Sequence, residues 1–225
     1  MIEGRPKNKR SLCRVLCASV MGTLLFSCGI DILSVLDSPP EYISPLVFKG
    51  PLNPDATLYR GIDIYYRIYA KEEDANADRE KLLNRQAQAN ALPGDAIKFY
   101  LLSDLGLKYK RLNVNQGTPS LNKDYLGSYR VQLSYDQAAF ELTLLRYDGL
   151  SPPIIIKRSN DGTSSFSVRP VEPDGDYQTS ADDDSEPDRY HIQFFAASYG
   201  IDIANGSFND LYSNAVSLGI QAIDY

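Results

Sequence analysis

Two long runs, Gly61-Ile62-Asp63-Ile64-Tyr65-Tyr66-Arg67-Ile68-Tyr69 and Tyr190-His191-Ile192-Gln193-Phe194-Phe195-Ala196-Ala197-Ser198-Tyr199-Gly200, carry the strongest constraint on the fold. In both, apolar residues recur at every second position, the period that places them on one face of a β-strand. The first run sends Ile62, Ile64, Tyr66 and Ile68 to one face and Asp63, Tyr65, Arg67 and Tyr69 to the other. Strands this long need partners, and the 16 tyrosines of the chain, frequent in its strand-like runs, suit a pleated, half-buried surface. The expected fold class is therefore mostly β.

Further runs with strand character are 97–103, 107–114, 129–135, 140–146, 154–157 and a last one near 216–223. Asp136-Gln137-Ala138 and Asn160-Asp161-Gly162 read as hairpin turns. One segment reads as a helix. Glu72, Glu73 and Asp74 suit the positive end of a helix dipole, Leu82, Leu83 and Ala87 give a narrow apolar stripe, and Pro93-Gly94 ends the segment.

The pattern Tyr-x-Ile-x-Phe-x-Ala-x-Ser-x-Gly from Tyr190 resembles strand F of a fibronectin type III domain, and Gly61-Ile-x-Ile-x-Tyr resembles its strand C. Phe48 and Pro51 fall where that family has a Trp-containing strand B and its prolines, although this chain has no Trp. Val168-Arg169-Pro170 resembles the end of strand E, and Ser213-Asn214-Ala215-Val216 the entry to strand G. The resemblance implies an antiparallel β-sandwich, with Tyr190 as the tyrosine that anchors the crossover into strand F. Such a module needs about 90 to 100 residues. Residues 71–160 are accordingly expected as an inserted helix with extra strands, an α+β insertion in a single domain spanning 45–225.

The N-terminus carries a different resemblance. Lys7, Lys9, Arg10 and Arg14 precede an apolar run, Val15 to Ser27, that falls short of the about 20 residues a membrane-spanning helix needs. Leu25-Phe26-Ser27-Cys28 resembles the lipobox of bacterial lipoproteins, with Phe26 suiting the looser spirochaete-type pattern. The resemblance implies a signal peptide over 1–27, a lipidated Cys28 and a short tether over 28–44. The protein would then be held in the bacterial cell envelope, with the outer membrane favoured. An ordinary secretory signal cut near the same place is the alternative, and would leave the protein without a lipid.

Cys13 and Cys17 lie in the expected signal, so Cys28 would be the only thiol left and a disulfide within the mature chain is excluded. The whole chain has a net charge of −6, and removal of the basic leader makes the remainder more acidic. Nucleic acid is a poor partner for such a surface.

If the two long strands are neighbours, Tyr65, Arg67 and Tyr69 on one and His191, Gln193 and Phe195 on the other share the face opposite the core. Aromatic and Arg side chains dominate contact energies at interfaces, so this face is the candidate binding surface, unless the helix that follows Tyr69 folds over it. The stretch 172–188 holds eight acidic residues, no basic ones and two prolines, and reads as a solvated loop. Within it Asp182, Asp183 and Asp184 are weak candidates for a divalent cation, without the ligand spacing of an EF-hand.

A single histidine, His191, rules out histidine triads acting within one chain and zinc sites with several histidines. No cofactor fingerprint is present. The expected activity is non-catalytic: a protein-binding or assembly module whose partner is another envelope protein or a host protein. The alternatives are a surface adhesin or carbohydrate binder that uses exposed tyrosines, and a carboxylate-based hydrolase.

Overall fold

The structure is a computed structural model that describes residues 35–40, 44–52, 54–55, 57–103, 106–112, 114, 119–148, 150–158, 165–172, 174–179, 187–202 and 208–225. Val35–Tyr225 is one compact unit. In chain order it holds β1 (Val47–Lys49), β2 (Tyr59–Tyr69), α1 (Glu72–Gln86), a π-helical turn (Ala96–Leu101), β3 (Lys110–Arg111), β4 (Leu121–Asn122) and α2 (Lys123–Leu126). There follow β5 (Arg130–Asp136), β6 (Glu141–Arg146), β7 (Ile154–Ile156), β8 (Tyr177–Gln178), β9 (Arg189–Asp202), β10 (Asn209–Tyr212) and β11 (Val216–Asp224).

The chain is mostly β, and its two sheets are antiparallel apart from the short β8, which lies parallel to β2. The larger sheet centres on β2 and β9, paired over almost their full length with Tyr65 opposite Phe195, Arg67 opposite Gln193 and Tyr69 opposite His191. β11 and β10 pair with β9, while β3, β4 and β8 pair with β2. The smaller sheet runs β1-β5-β6-β7.

Alternation along β2 and β9 gives each face of the larger sheet its own core. Ile62, Ile64, Tyr66, Ile68, Ile192, Phe194 and Ala196 pack in one cluster with Phe48, Val131, Leu133, Leu142, Leu144 and Ile156 of the smaller sheet. This is the arrangement of a β-sandwich. The other face packs against α1 and the π-helical turn, so the molecule has a third, helical layer.

The smaller sheet draws three of its four strands, β5, β6 and β7, from the stretch expected as an insertion. Val168–Pro170, read as the end of a strand, has no strand structure. The apolar run 97–103 forms the π-helical turn rather than a strand, with Ile97 and Leu101, four apart, both buried. A short apolar run has no period of its own to separate the two. Gly94 leads into this turn at φ +83°, and a Cβ there would stand 2.6 Å from the carbonyl oxygen of Tyr212, so only glycine lets the chain pass so close to β10.

Part of the expected tether belongs to the domain. Leu36 is buried, Ser198 Oγ donates to the Asp37 carbonyl at 2.6 Å, and Ser38 Oγ donates to the Asn214 carbonyl at 3.1 Å. Among the described residues no helix is long and apolar enough to cross a membrane.

Candidate functional site

The face shared by Tyr65, Arg67, Tyr69, His191, Gln193 and Phe195 exists as the strand pairing requires, but it is not open. Tyr65, Tyr69, Gln193 and Phe195 are fully buried, and the side chains of Arg67 and His191 keep only 11% and 14% exposure. Helix α1 closes the face, and it does so largely with polar contacts because its sequence offers so little apolar surface. Its buried residues are Ala75, Asp78 and Leu82; of the expected stripe Leu82, Leu83 and Ala87 only Leu82 is buried. Tyr69 donates its hydroxyl hydrogen to Asp78 at 3.0 Å, and the Tyr109 hydroxyl lies 2.9 Å from that of Tyr69. Lys81 reaches Asp78 at 2.8 Å, and Arg67 donates to the Leu107 carbonyl. At the other end of α1, the Gln86 amide donates to the Ala215 carbonyl at 2.9 Å and accepts from its N–H at 2.6 Å.

Burial raises the Tyr69 phenol far above its usual range, with Tyr109 and Asp78 adding to the shift. It lowers His191, against the opposing pull of Glu72, whose carboxylate stands 3.9 Å from Nδ1. These groups are internal struts, and the expected binding surface is an interior layer.

Asp63 is a buried carboxylate on β2 itself. It accepts from the Ser120 backbone N–H at 2.7 Å and from the Tyr65 hydroxyl at 3.4 Å, with Arg111 at 3.7 Å. Desolvation raises its pKa, opposed by the Ser120 N–H and by Arg111. A carboxyl with a raised pKa is a mark of acid–base sites. Here, however, the Ser120 bond ties the segment before β4 to β2, Arg111 reaches the same carboxylate from β3, and the carboxyl is sealed from solvent. It is a clasp.

The acidic stretch divides in two. Asp176 is buried and holds Arg158 through both carboxylate oxygens, at 2.9 and 2.5 Å, and Asp174 adds a third bond at 2.8 Å. Tyr66 donates to Asp176 at 2.7 Å from within the sandwich core. The expectation of a solvated loop over 172–188 therefore fails at its start, because Arg158, 18 residues earlier than Asp176, neutralises what local composition shows as uncompensated charge. Asp182, Asp183 and Asp184 lie outside the described residues, as does Cys28. Among the described residues no group of three or more His, Cys, Asp or Glu could hold a metal ion.

Sequence reasoning missed an open cleft of about 350 Å³ where the end of β1 meets α2. Lys49, Gly50, Pro51, Leu52 and Pro54 form one side, Lys123, Asp124, Leu126, Gly127 and Ser128 the other, and Tyr59 stands between them. The side chain of Asn122 caps α2 by accepting from the Tyr125 N–H at 2.7 Å, which fixes Lys123 and Asp124 at the first helical positions. Tyr59 is 4% exposed, and its buried hydroxyl has no hydrogen-bond partner among the described residues. Nothing in the linear sequence joins residues 49–59 to 123–128. Gly50-Pro51 and Leu126-Gly127, which line the rim, are the local signal.

No protein-family model matches this chain, and neither a curated protein nor a solved structure does.

Proposed function

We propose that the chain is a lipid-anchored envelope protein, acylated at Cys28, whose fibronectin type III-like domain acts as a non-catalytic module for binding or assembly with another envelope or host protein. The fold half of this reading rests on the pairing of β2 with β9 and of β9 with β11, the order of strands C, F and G in that family. The opposite sheet departs from the family, since β5 to β7 build it in place of the A, B and E arrangement. The functional half rests on how the titratable groups are used. Asp63, Asp78 and Asp176, three buried carboxylates among the described residues, are each engaged in tying one segment to another, and none of them lines the cleft. With the β2/β9 face covered, the loops and the cleft at the end of the sandwich become the contact surfaces of the module.

The anchor is tested by expressing the full chain with its own leader in a lipoprotein-processing bacterium and partitioning cell extracts in Triton X-114. The wild type is expected in the detergent phase and Cys28→Ser in the aqueous phase, with mass spectrometry showing acyl groups on Cys28 of the former only. Equal partitioning of the two would refute the anchor.

A further inference from the structure

Like charges directly opposite one another on a sheet repel and weaken the pairing. The outward face of the smaller sheet, a surface apart from the loops and the cleft, holds two such pairs at opposite ends. Lys49 of β1 stands opposite Arg130 of β5, and Asp136 of β5 stands opposite Glu141 of β6. Alternation puts all four on the side away from the core, because their neighbours Phe48, Val131 and Leu142 take the inward positions. Lys49, Arg130 and Glu141 form no ion pair among the described residues, and Asp136 turns one carboxylate oxygen to the Ala138 and Ala139 N–H groups. Arg130 and Asp136 are the first and last residues of β5, which at about 3.4 Å per residue sets the two pairs about 20 Å apart. Between them the face carries half-buried Val47 and Leu145 and exposed Ile155, with exposed Tyr147 bonded through its N–H to the Arg130 carbonyl.

We propose that this face is an interface between two copies of the chain, stacked sheet on sheet about a two-fold axis that runs across the strands. Such an axis reverses strand direction, so Lys49 and Arg130 of each copy meet Asp136 and Glu141 of the other, and the apolar middles cover one another. Lys157 follows β7 at the level of Glu141, and the same axis keeps it on the edge farthest from β1 and so away from Lys49. Charges that repel within one copy attract between two, which makes the face its own complement and selects a second copy as the occupant. Four strands about 4.8 Å apart make a small face, so the dimer is weak, with a dissociation constant on the order of 10 μM. The pairing depends neither on the lipid anchor nor on a further protein partner, and its failure leaves both untouched.

The test is sedimentation equilibrium of the full chain in a density-matched nonionic detergent, over protein concentrations of about 1–200 μM. A monomer–dimer equilibrium is expected, weakened about tenfold when salt rises from about 50 to 500 mM. Arg130→Glu and Glu141→Arg each act twice in a symmetric dimer, and each should weaken it about tenfold or more. Each also replaces a like-charge pair within the monomer by an opposite one, so the melting temperature of the monomer should stay or rise, a combination that structural damage does not give. The double variant should dimerise more tightly than either single one, because the reversed charges again find opposites. A monomer at every concentration, or a dimer that neither reversal weakens, overturns the interface. A double variant no tighter than the single ones overturns the two-fold arrangement.

Discussion

On the face of β2 and β9 that meets the smaller sheet, Ile62, Ile64, Ile68, Ile192 and Phe194 pack with almost no polar atoms, and Tyr66 sends its one hydroxyl out to Asp176. On the opposite face, at the alternate positions of the same strands, Tyr65, Arg67, Tyr69, His191 and Gln193 need a partner for nearly every side chain. The first face is held by area removed from water, which is non-directional and tolerant. The second depends on hydrogen bonds that must each be made, and so depends on where one helix sits. The same backbone pairing thus supports a core that any sandwich of suitable size would bury and a layer that only α1 fits.

Phe194→Ala should cost the most, about 3–5 kcal/mol, because it opens a cavity at the centre of the sandwich. Urea unfolding followed by circular dichroism is expected to show one transition at lower midpoint, with β5 and β6 lost together with β2 and β9. Asp78→Ala should cost about 1–3 kcal/mol, since Tyr69 and Lys81 lose their acceptor in a buried setting. Here the loss should be local: hydrogen exchange is expected to speed up in α1 while amides of β5 and β6 keep their protection. Uniform acceleration across both layers would show that the two faces unfold as one unit and erase the distinction.

The smallest effect should come from His191. Its folded pKa lies below the ordinary 6.5 because burial penalises the charged ring, with Glu72 opposing and Arg189 adding to the shift. The unfolded chain therefore binds the proton more readily, so stability falls as pH drops below about 6.5 towards the lowered value and is constant above it. His191→Gln should flatten that part of the stability–pH curve, measured by thermal melts between pH 7.5 and 5.5.

How much of this was legible in the sequence follows from the range of the interactions. β2, β9, β5 and β6 are strands with clear period-two alternation, and their faces follow from it. The residues sharing the second face were likewise readable, since Tyr65, Arg67 and Tyr69 stand opposite Phe195, Gln193 and His191. Their burial was not. α1 carries few apolar residues, and what docks it are contacts such as Tyr69 with Asp78 and Gln86 with Ala215, set by three-dimensional position rather than by period. The same limit hid the partner of Asp176, because Arg158 sits 18 residues earlier in the chain, and hid the cleft, whose two sides are joined only by folding.

The clasp between Arg158 and Asp176 has a further consequence for the acidic stretch that follows it. Gln178 lies beside Tyr69 on one edge of β2, and His191 lies beside the same Tyr69 on the other. The two ends of the acidic stretch therefore meet β2 at the same level, on opposite sides of one residue. Both ends are fixed by pairing with β2, and the first is also held by Arg158 through Asp174 and Asp176. β8 and β9 are each placed by their own pairing with β2, so changes of length or charge in the stretch that joins them are expected to leave the sheet beneath unchanged.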